Sequence, residues 1–350
     1  VTVLRFPNPG SDINKFVTTF ETIFEKLRGR TDFGHYDMGN VLATTGLVSS
    51  QGAIGEEALR RSTREDTTRD PIYNQVKMYS ELYRMLGWLR PGSDRTHFVF
   101  SDLSGYIKSP MSGIEELITE CIFNIVFPNP NVETRTGNNI RPFLFLLNII
   151  EGLGGIIYRD EIILSTLACE NDRLEYSLET QISKIIEIRR DYDKLKSELR
   201  SAAEDKQVNT VQNYTRFPIG IIRDMGWVEE VRNREIYNKS LKMLKITSKG
   251  EKICSKYNGL YDIRYQDLNK FSLDEKAFFG ALSYYIKIQR SGYEMSDIDR
   301  DHIETLSDLS TRVMEGLNIT DVDKILFCPY QQLYDLEVNR MEYLDTELWG

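Results

Sequence analysis

The stretch from Tyr214 to Asn258 restricts the architecture of this chain more than any other. It passes from an apolar helical segment (Phe217, Ile219, Ile221, Ile222) into Met225-Gly226-Trp227-Val228, where a turn hands over to a strand. A polar tip follows at Arg232-Asn233-Arg234, and the chain returns through Leu241, Met243, Leu244 and Ile246. Apolar and polar residues alternate along both arms, as a half-buried two-stranded ribbon requires. Thr247 is placed to cap a further helix whose first turn holds Glu251. A helix, a ribbon and a return strand ending in Ile246-Thr247-Ser248-Lys249-Gly250 read as a winged helix. Such a unit either contacts DNA or serves as a structural or protein-binding module, and the residues leave both open.

An earlier part of the chain follows the same plan. Ile13, Phe16, Val17, Phe20, Phe24 and Leu27 recur at threes and fours and predict a helix from about Asp12 to Arg28. Short helices are expected around Met38–Thr45 and Gly52–Arg64, and a longer one over Ile72–Gly87. Gly87-Trp88-Leu89-Arg90 then matches Gly226-Trp227-Val228-Glu229 in position and kind. Pro91-Gly92-Ser93-Asp94 is a turn and His97–Phe100 a return strand.

Between the two, Pro110–Phe127 reads as a helix that ends at a stiff Pro128-Asn129-Pro130 linker. Phe143–Ile150, Ile157–Cys169 and Ser177–Arg190 predict three more helices, the last continued by a charged, solvated connector over Asp191–Gln207. Past Gly259, Ser272–Ile288 and the stripe Ile303, Leu306, Leu309 and Val313 are helical. The expected fold is mainly α with small β hairpins, with tandem winged-helix subdomains joined by a helical block. At 350 residues the chain is long enough for several domains. The expected boundaries are 1–127 (opening helix and first winged helix), 128–208 (helical linker subdomain), 209–260 (second winged helix) and 261–350 (acidic helical subdomain).

A formal net charge of −9 argues against a uniformly basic nucleic-acid binder, but the charge is uneven. Tyr214–Lys256 holds ten Lys/Arg against five Asp/Glu, whereas Ser291–Gly350 holds four against fourteen. A local basic patch binds phosphates whatever the total. No apolar run approaches 18 residues, so no membrane span is expected, and no signal peptide is evident. The chain begins Val1-Thr2-Val3 without an initiator methionine, so a processed start or an artificial boundary is expected. Cys121, Cys169, Cys254 and Cys328 lie too far apart for paired zinc ligands, with only three histidines to help. Reduced cysteines in a cytoplasmic protein are the better reading.

Metal-dependent DNA cleavage needs two or three carboxylates converging near a base or a lysine. Asp160-Glu161 and Glu179 fall in helical segments, and Asp321-Val322-Asp323-Lys324 has no strand before it. Phosphate-cradling and dinucleotide-binding glycine motifs are missing, and no spacing singles out His35, His97 or His302 for catalysis. No catalytic residue, metal ligand or cofactor is therefore assigned to this chain. The run Arg60, Arg61, Ser62, Thr63, Arg64 and Arg69 has the side chains that suit base edges and phosphates. Glu65, Asp66 and Asp70 dilute its charge, and such a mixture is also an ordinary solvated loop.

The order of these segments is "RRSTRED" (Arg60–Asp66), "LGWLRPGSDRTHFVFSDLSGYI" (Leu86–Ile107), "RPFLFLLNIIEGLGG" (Arg141–Gly155), an acidic short helix and "ITSKG". Over roughly residues 50–260 it resembles the DNA-recognition half of type IIS restriction endonucleases and related strand-specific nicking endonucleases, the AlwI-like group. That resemblance implies a winged-helix region that reads an asymmetric site in double-stranded DNA. It also implies a separate nuclease domain or subunit that cuts with Mg²⁺, whose motif this chain lacks. Ser62, Thr63 and Arg64, the hairpin at Arg232 and Arg234, and Arg216 and Arg223 would contact bases or backbone, while Lys239, Lys242 and Lys249 would bind phosphates. The rival readings are a helical interaction or assembly protein and a DNA-binding regulator without nuclease activity.

Overall fold

A computed structural model describes residues 3–10, 12–62, 69–92, 96–108, 114–132, 137–204 and 206–329. The first elements are α1 (Ile13–Leu27), β1 (Phe33–Gly34), α2 (His35–Thr44), α3 (Gly55–Arg61), α4 (Pro71–Met85), β2 (Leu89–Pro91), β3 (His97–Phe100), α5 (Leu103–Lys108) and α6 (Ile114–Asn124). Next come α7 (Pro142–Gly152), β4 (Ile156–Tyr158), α8 (Arg159–Ile162) with a π-helical turn over Ile163–Leu167, α9 (Ser177–Ile188), α10 (Tyr192–Ala203) and α11 (Val208–Asn213). They are followed by α12 (Arg216–Asp224), β5 (Val228–Asn233), β6 (Leu241–Ile246) and α13 (Ser248–Asn258). The last are β7 (Tyr261–Asp262), α14 (Leu273–Arg290), α15 (Asp297–Leu309), α16 (Thr311–Gly316) and β8 (Ile325–Leu326). The chain is mainly helical, with small two- and three-stranded sheets.

Contacts divide the molecule into two units. The first comprises Val1–Phe16, Ile125–Pro128 and Thr134–Gly259; the second comprises Val17–Asn124, Asn129–Glu133 and Leu260–Gly350. Each holds one antiparallel three-stranded sheet in which the earliest strand pairs with the latest: order β1-β3-β2 in the second unit and β4-β6-β5 in the first.

The two sheets are entered by the same device. Gly87 and Gly226 adopt φ of 75° and 72°, a conformation that costs glycine little. Gly87 N–H donates to the Arg84 carbonyl and Trp88 N–H to that of Tyr83; Gly226 and Trp227 repeat this with Arg223 and Ile222. This paired closure ends α4 and α12 and turns each chain into its strand. Trp88 and Trp227 are both fully buried. Trp88 stacks on Tyr83 with centroids 5.7 Å apart and meets Phe20 at 4.9 Å. Such aromatic pairs contribute about 0.5–1.5 kcal/mol each beyond their area.

In the second unit, α4 starts where the Asp70 carboxylate accepts from the Ile72 and Tyr73 amides and Pro71 occupies the first turn. Further along, Glu120 of α6 pairs with Arg290 of α14 at 3.1 Å. In the first unit, Phe6 lies against Phe127, Phe143 and Phe217, and Phe127 and Ile140 exchange backbone hydrogen bonds. Thr247 caps α13 by accepting from the Gly250 amide at 3.1 Å, as its position in the sequence predicts.

Several expectations need correction. Ile157–Cys169 is not one helix: Ile156–Tyr158 pairs with Met243–Lys245, and helical structure starts only at Arg159. Ile156-Ile157-Tyr158 is a short apolar run in which periodicity does not separate strand from buried helix; Gly154 and Gly155, both at positive φ, reset the chain direction before it. Asp191–Gln207 does not continue α9. Asp191 is extended (φ −149°, ψ 123°) and caps a new helix through the Asp193 amide. The stiff Pro128-Asn129-Pro130 segment is packed in place: Asn129 is buried and its side chain bonds the Met85 carbonyl and the Asn131 amide. Among the described residues the helix expected over Gly52–Arg64 begins at Gly55 and gives way to extended backbone at Ser62, the one expected over Pro110–Phe127 ends at Asn124, and α5 has no counterpart in the expected elements. Along the stripe Ile303, Leu306, Leu309 and Val313, Leu306 and Val313 are buried and Leu309 is 38% exposed.

Candidate nucleic-acid interface

The ribbon formed by β5 and β6 carries the best-defined group of exposed cations. Its base is fixed where Val228 faces Ile246, both buried. Further out on the same face, Arg232 stands directly opposite Lys242, and both are exposed. Directly opposite side chains have Cβ atoms only about 4.5–5.5 Å apart, and like charges there destabilise the ladder. Glu230 offsets part of this repulsion: its carboxylate accepts from Lys242 Nζ at 2.5 Å and lies 3.8 Å from Arg223 of α12. Arg223 also pairs with Asp224 at 2.8 Å. Arg216 at the start of α12, Arg234 beyond β5 and Lys249 in the first turn of α13 are all exposed. Arg216, Arg232 and Arg234 form no ion pair with any described residue.

A buried network holds the connection between the two strands. Glu161, the N3 residue of α8, is fully buried and accepts from the Tyr158 amide at 2.8 Å. Arg189 donates to it through Nε and Nη2 and also reaches the Leu153 and Ile156 carbonyls at 3.3 and 2.6 Å. The Tyr237 hydroxyl, from the β5–β6 connection, donates to Glu161 Oε1 at 2.6 Å. Burial, reinforced by the Glu161 charge, pushes the Tyr237 phenol well up. Its partner Asp160 accepts from Gln212 at 2.9 Å and Arg159 at 3.3 Å. The acidic pair in this segment is thus taken up in cross-links between helices and ribbon.

Tyr237 packs edge-on against Tyr192, whose ring also receives two lysines. Lys239 Nζ lies 4.0 Å and Lys196 Nζ 4.8 Å from its centroid. Lys239 is one of the sequence-selected candidates, whereas Tyr192 and Lys196 were passed over inside the charged connector. The spacing Tyr192, Lys196, Arg200 at i, i+4, i+8 was the available signal.

The candidates of the second unit are differently placed. Arg60 and Arg61 both pair with Glu57 at 2.9 Å, and Arg61 also bonds the Gln51 carbonyl. The hydrogen bond from Arg61, with the charge of Arg60, holds the exposed Glu57 carboxyl below its usual range. Ser62 is half-buried and donates to Asp70, the residue that caps α4. Arg69 is exposed. Thr63 and Arg64 lie outside the described residues.

Cys121, Cys169, Cys254 and Cys328 are buried and form no disulfide, and among the described residues no group of three or more His, Cys, Asp or Glu is placed to hold a metal ion. No helix of the described residues is long and apolar enough to cross a membrane.

No family model matches the chain, and no curated protein matches it. Among solved structures it is similar to restriction endonuclease FokI, at 13% identity and a TM-score of 0.39, covering 91% of this chain and 60% of that one. A structure of restriction endonuclease FokI bound to DNA gives 13% identity, a TM-score of 0.35 and the same coverage. The chain therefore spans about 60% of the length of those structures.

Proposed function

We propose that this chain is a double-stranded DNA recognition module built on two winged-helix units, one in each contact unit. The order helix, strand, helices, strand, strand, with the earliest strand paired to the latest, supports that assignment in both. In the first unit α12 takes the place of the helix presented to a groove, and the β5–β6 ribbon is the wing.

The observation that carries the DNA reading is the opposed pair Arg232 and Lys242 on that ribbon. Two cations facing each other at short range weaken the isolated protein, and a polyanion converts the same arrangement into attraction. Residues 206–223, which include α11 and most of α12, contain no acidic side chain, in a chain where acids outnumber bases 53 to 44. Asn209, Thr210, Asn213 and Arg216 are exposed there and have the donors and acceptors that base edges require. Lys242, Lys239 and Lys249 set register on phosphates; Arg60, Arg61, Ser62, Thr63, Arg64 and Arg69 are the candidate readers of the second unit. The resemblance to type IIS and nicking endonucleases suggests that cleavage belongs to a separate Mg²⁺-dependent nuclease domain or subunit.

The test is selection from a randomised duplex pool, followed by titration of the selected and scrambled duplexes at two salt concentrations. A consensus, with binding that weakens as salt rises, supports the reading. Absence of enrichment together with salt-independent or undetectable binding overturns it. Arg64→Ala is expected to relax base preference, whereas Lys242→Gln weakens all sequences alike.

A second reading, docking of a basic protein surface, is favoured by α15 alone. Ile298 is 67% exposed there among Asp297, Asp301, Glu304 and Asp308. Capture of a protein partner that is lost in Ile298→Ser, with no duplex binding, would select it.

A further inference from the structure

Two ammonium groups from distant parts of the first unit meet on one tyrosine. Lys196 belongs to α10 and Lys239 to the β5–β6 connection, yet their Nζ atoms lie 4.8 and 4.0 Å from the centroid of the Tyr192 ring. The ammonium groups are therefore no farther apart than the sum of those distances. Both lysines are exposed, whereas the ring they share is half-buried.

The ring is not free to move aside. It packs against Tyr237 with centroids 5.6 Å apart and planes at 69°, and Tyr237 is bonded to the buried Glu161, which Arg189 holds in turn. Tyr158 also meets Tyr237, with centroids 6.4 Å apart. A rigid chain of contacts thus runs from a buried carboxylate to a surface ring, and the two flexible cations are gathered at its end. Other charges on α10 leave the station positive: Lys194 is paired with Glu187, Asp193 is exposed one turn before Lys196, and Glu198 lies near Lys184. Arg200 follows Lys196 by one turn and is exposed.

We propose that Tyr192, Lys196 and Lys239 form a phosphate station that takes one backbone phosphodiester of nucleic acid, extending the basic surface from the ribbon onto α10. The inference rests on the DNA reading above. Each ammonium exchanges part of its contact with the ring face for a charge-assisted hydrogen bond to a phosphate oxygen, and the ring holds both side chains near the bound position beforehand. Tyr192 is a positioning residue in this arrangement.

The experiment is a duplex titration over a range of salt for the wild type, Lys196→Gln, Lys239→Gln, the double variant, Tyr192→Phe and Tyr192→Leu, with Lys242→Gln as a control. Each of the first two variants is expected to weaken binding about three- to tenfold and lower the salt slope by about 1. Tyr192→Phe keeps the ring and matches the wild type, whereas Tyr192→Leu weakens binding without a matching loss of slope. Unchanged thermal unfolding shows that the lysine variants remain folded. Wild-type affinity and slope in Lys196→Gln, while Lys242→Gln loses both, overturn the station and leave the DNA reading intact. A wild-type protein that does not bind duplex overturns the two together.

Discussion

Arg189 grips both oxygens of Glu161, Nε to Oε1 and Nη2 to Oε2, each at 2.8 Å. The carboxylate is fully buried, and among the described residues its other partners are the Tyr158 amide and the Tyr237 hydroxyl, so there its charge is answered by this one arginine. Removing one member of such a pair costs about 3–5 kcal/mol because a buried charge is left uncompensated. Arg189→Ala should lose that much stability in urea unfolding, and a loss below about 1 kcal/mol would contradict the role assigned here.

Gly250 sits against the strand it follows. A Cβ at this position would lie 2.1 Å from the Trp227 carbonyl oxygen and 2.9 Å from Ile246 Cγ1. The first contact is with backbone, which cannot rotate away, so Gly250→Ala should destabilise by about 3 kcal/mol or more. At Gly152 the closest atom is the end of the Ile182 side chain, which can change rotamer. Gly152→Ala should cost clearly less in the same thermal-unfolding measurement, and equal losses would show that backbone contact is not what matters at Gly250.

Lys287 is 2% exposed on α14, and burial lowers its pKa from 10.5; Cys121, Cys328 and Glu120 beside it oppose the shift, while the Arg290 charge adds to it. Between the lowered value and 10.5 the unfolded chain holds a proton that the folded one has released. Stability therefore rises with pH across that window and is reduced below it. Lys287→Met should stabilise by about 1 kcal/mol or more at neutral pH, as replacement of buried charge by apolar volume does, and should flatten the rise. Urea unfolding from pH 7 to 10 checks both, and parallel pH profiles for the two proteins would refute the assignment.

Arg232→Gln is expected to move stability and binding in opposite directions. Loss of the charge facing Lys242 should raise stability by a few tenths of a kcal/mol, while duplex affinity falls and the salt slope drops by about 1. A variant that loses stability and leaves binding untouched would make Arg232 an ordinary ribbon residue.

How much of this was legible beforehand depended on the range of the signal. α1, α4, α9, α12 and α14 announce themselves because each carries its own apolar period, and Thr247 and the two Gly-Trp turns are local chemistry read directly from neighbours. β4 is three residues long and becomes a strand only because Met243–Lys245 arrives to pair with it. From its neighbours Ser62 reads as a base-contacting hydroxyl; that it donates to Asp70 depends on where α3 ends and α4 begins. Tyr192 and Lys196 were hidden because charged helices are normally solvated, and what singles them out is Lys239, which comes from another element.

The pairing of Tyr158 with Met243 joins positions more than eighty residues apart. During synthesis β4 emerges long before β6, so an edge without its hydrogen-bonding neighbour persists while α9 to α12 are being made. Closing so long a loop raises the contact order of the first unit, which slows the search for the native pairing and lengthens exposure of Ile156-Ile157-Tyr158 to other chains. Refolding yields of this protein should therefore depend on concentration more steeply than its helical content would suggest.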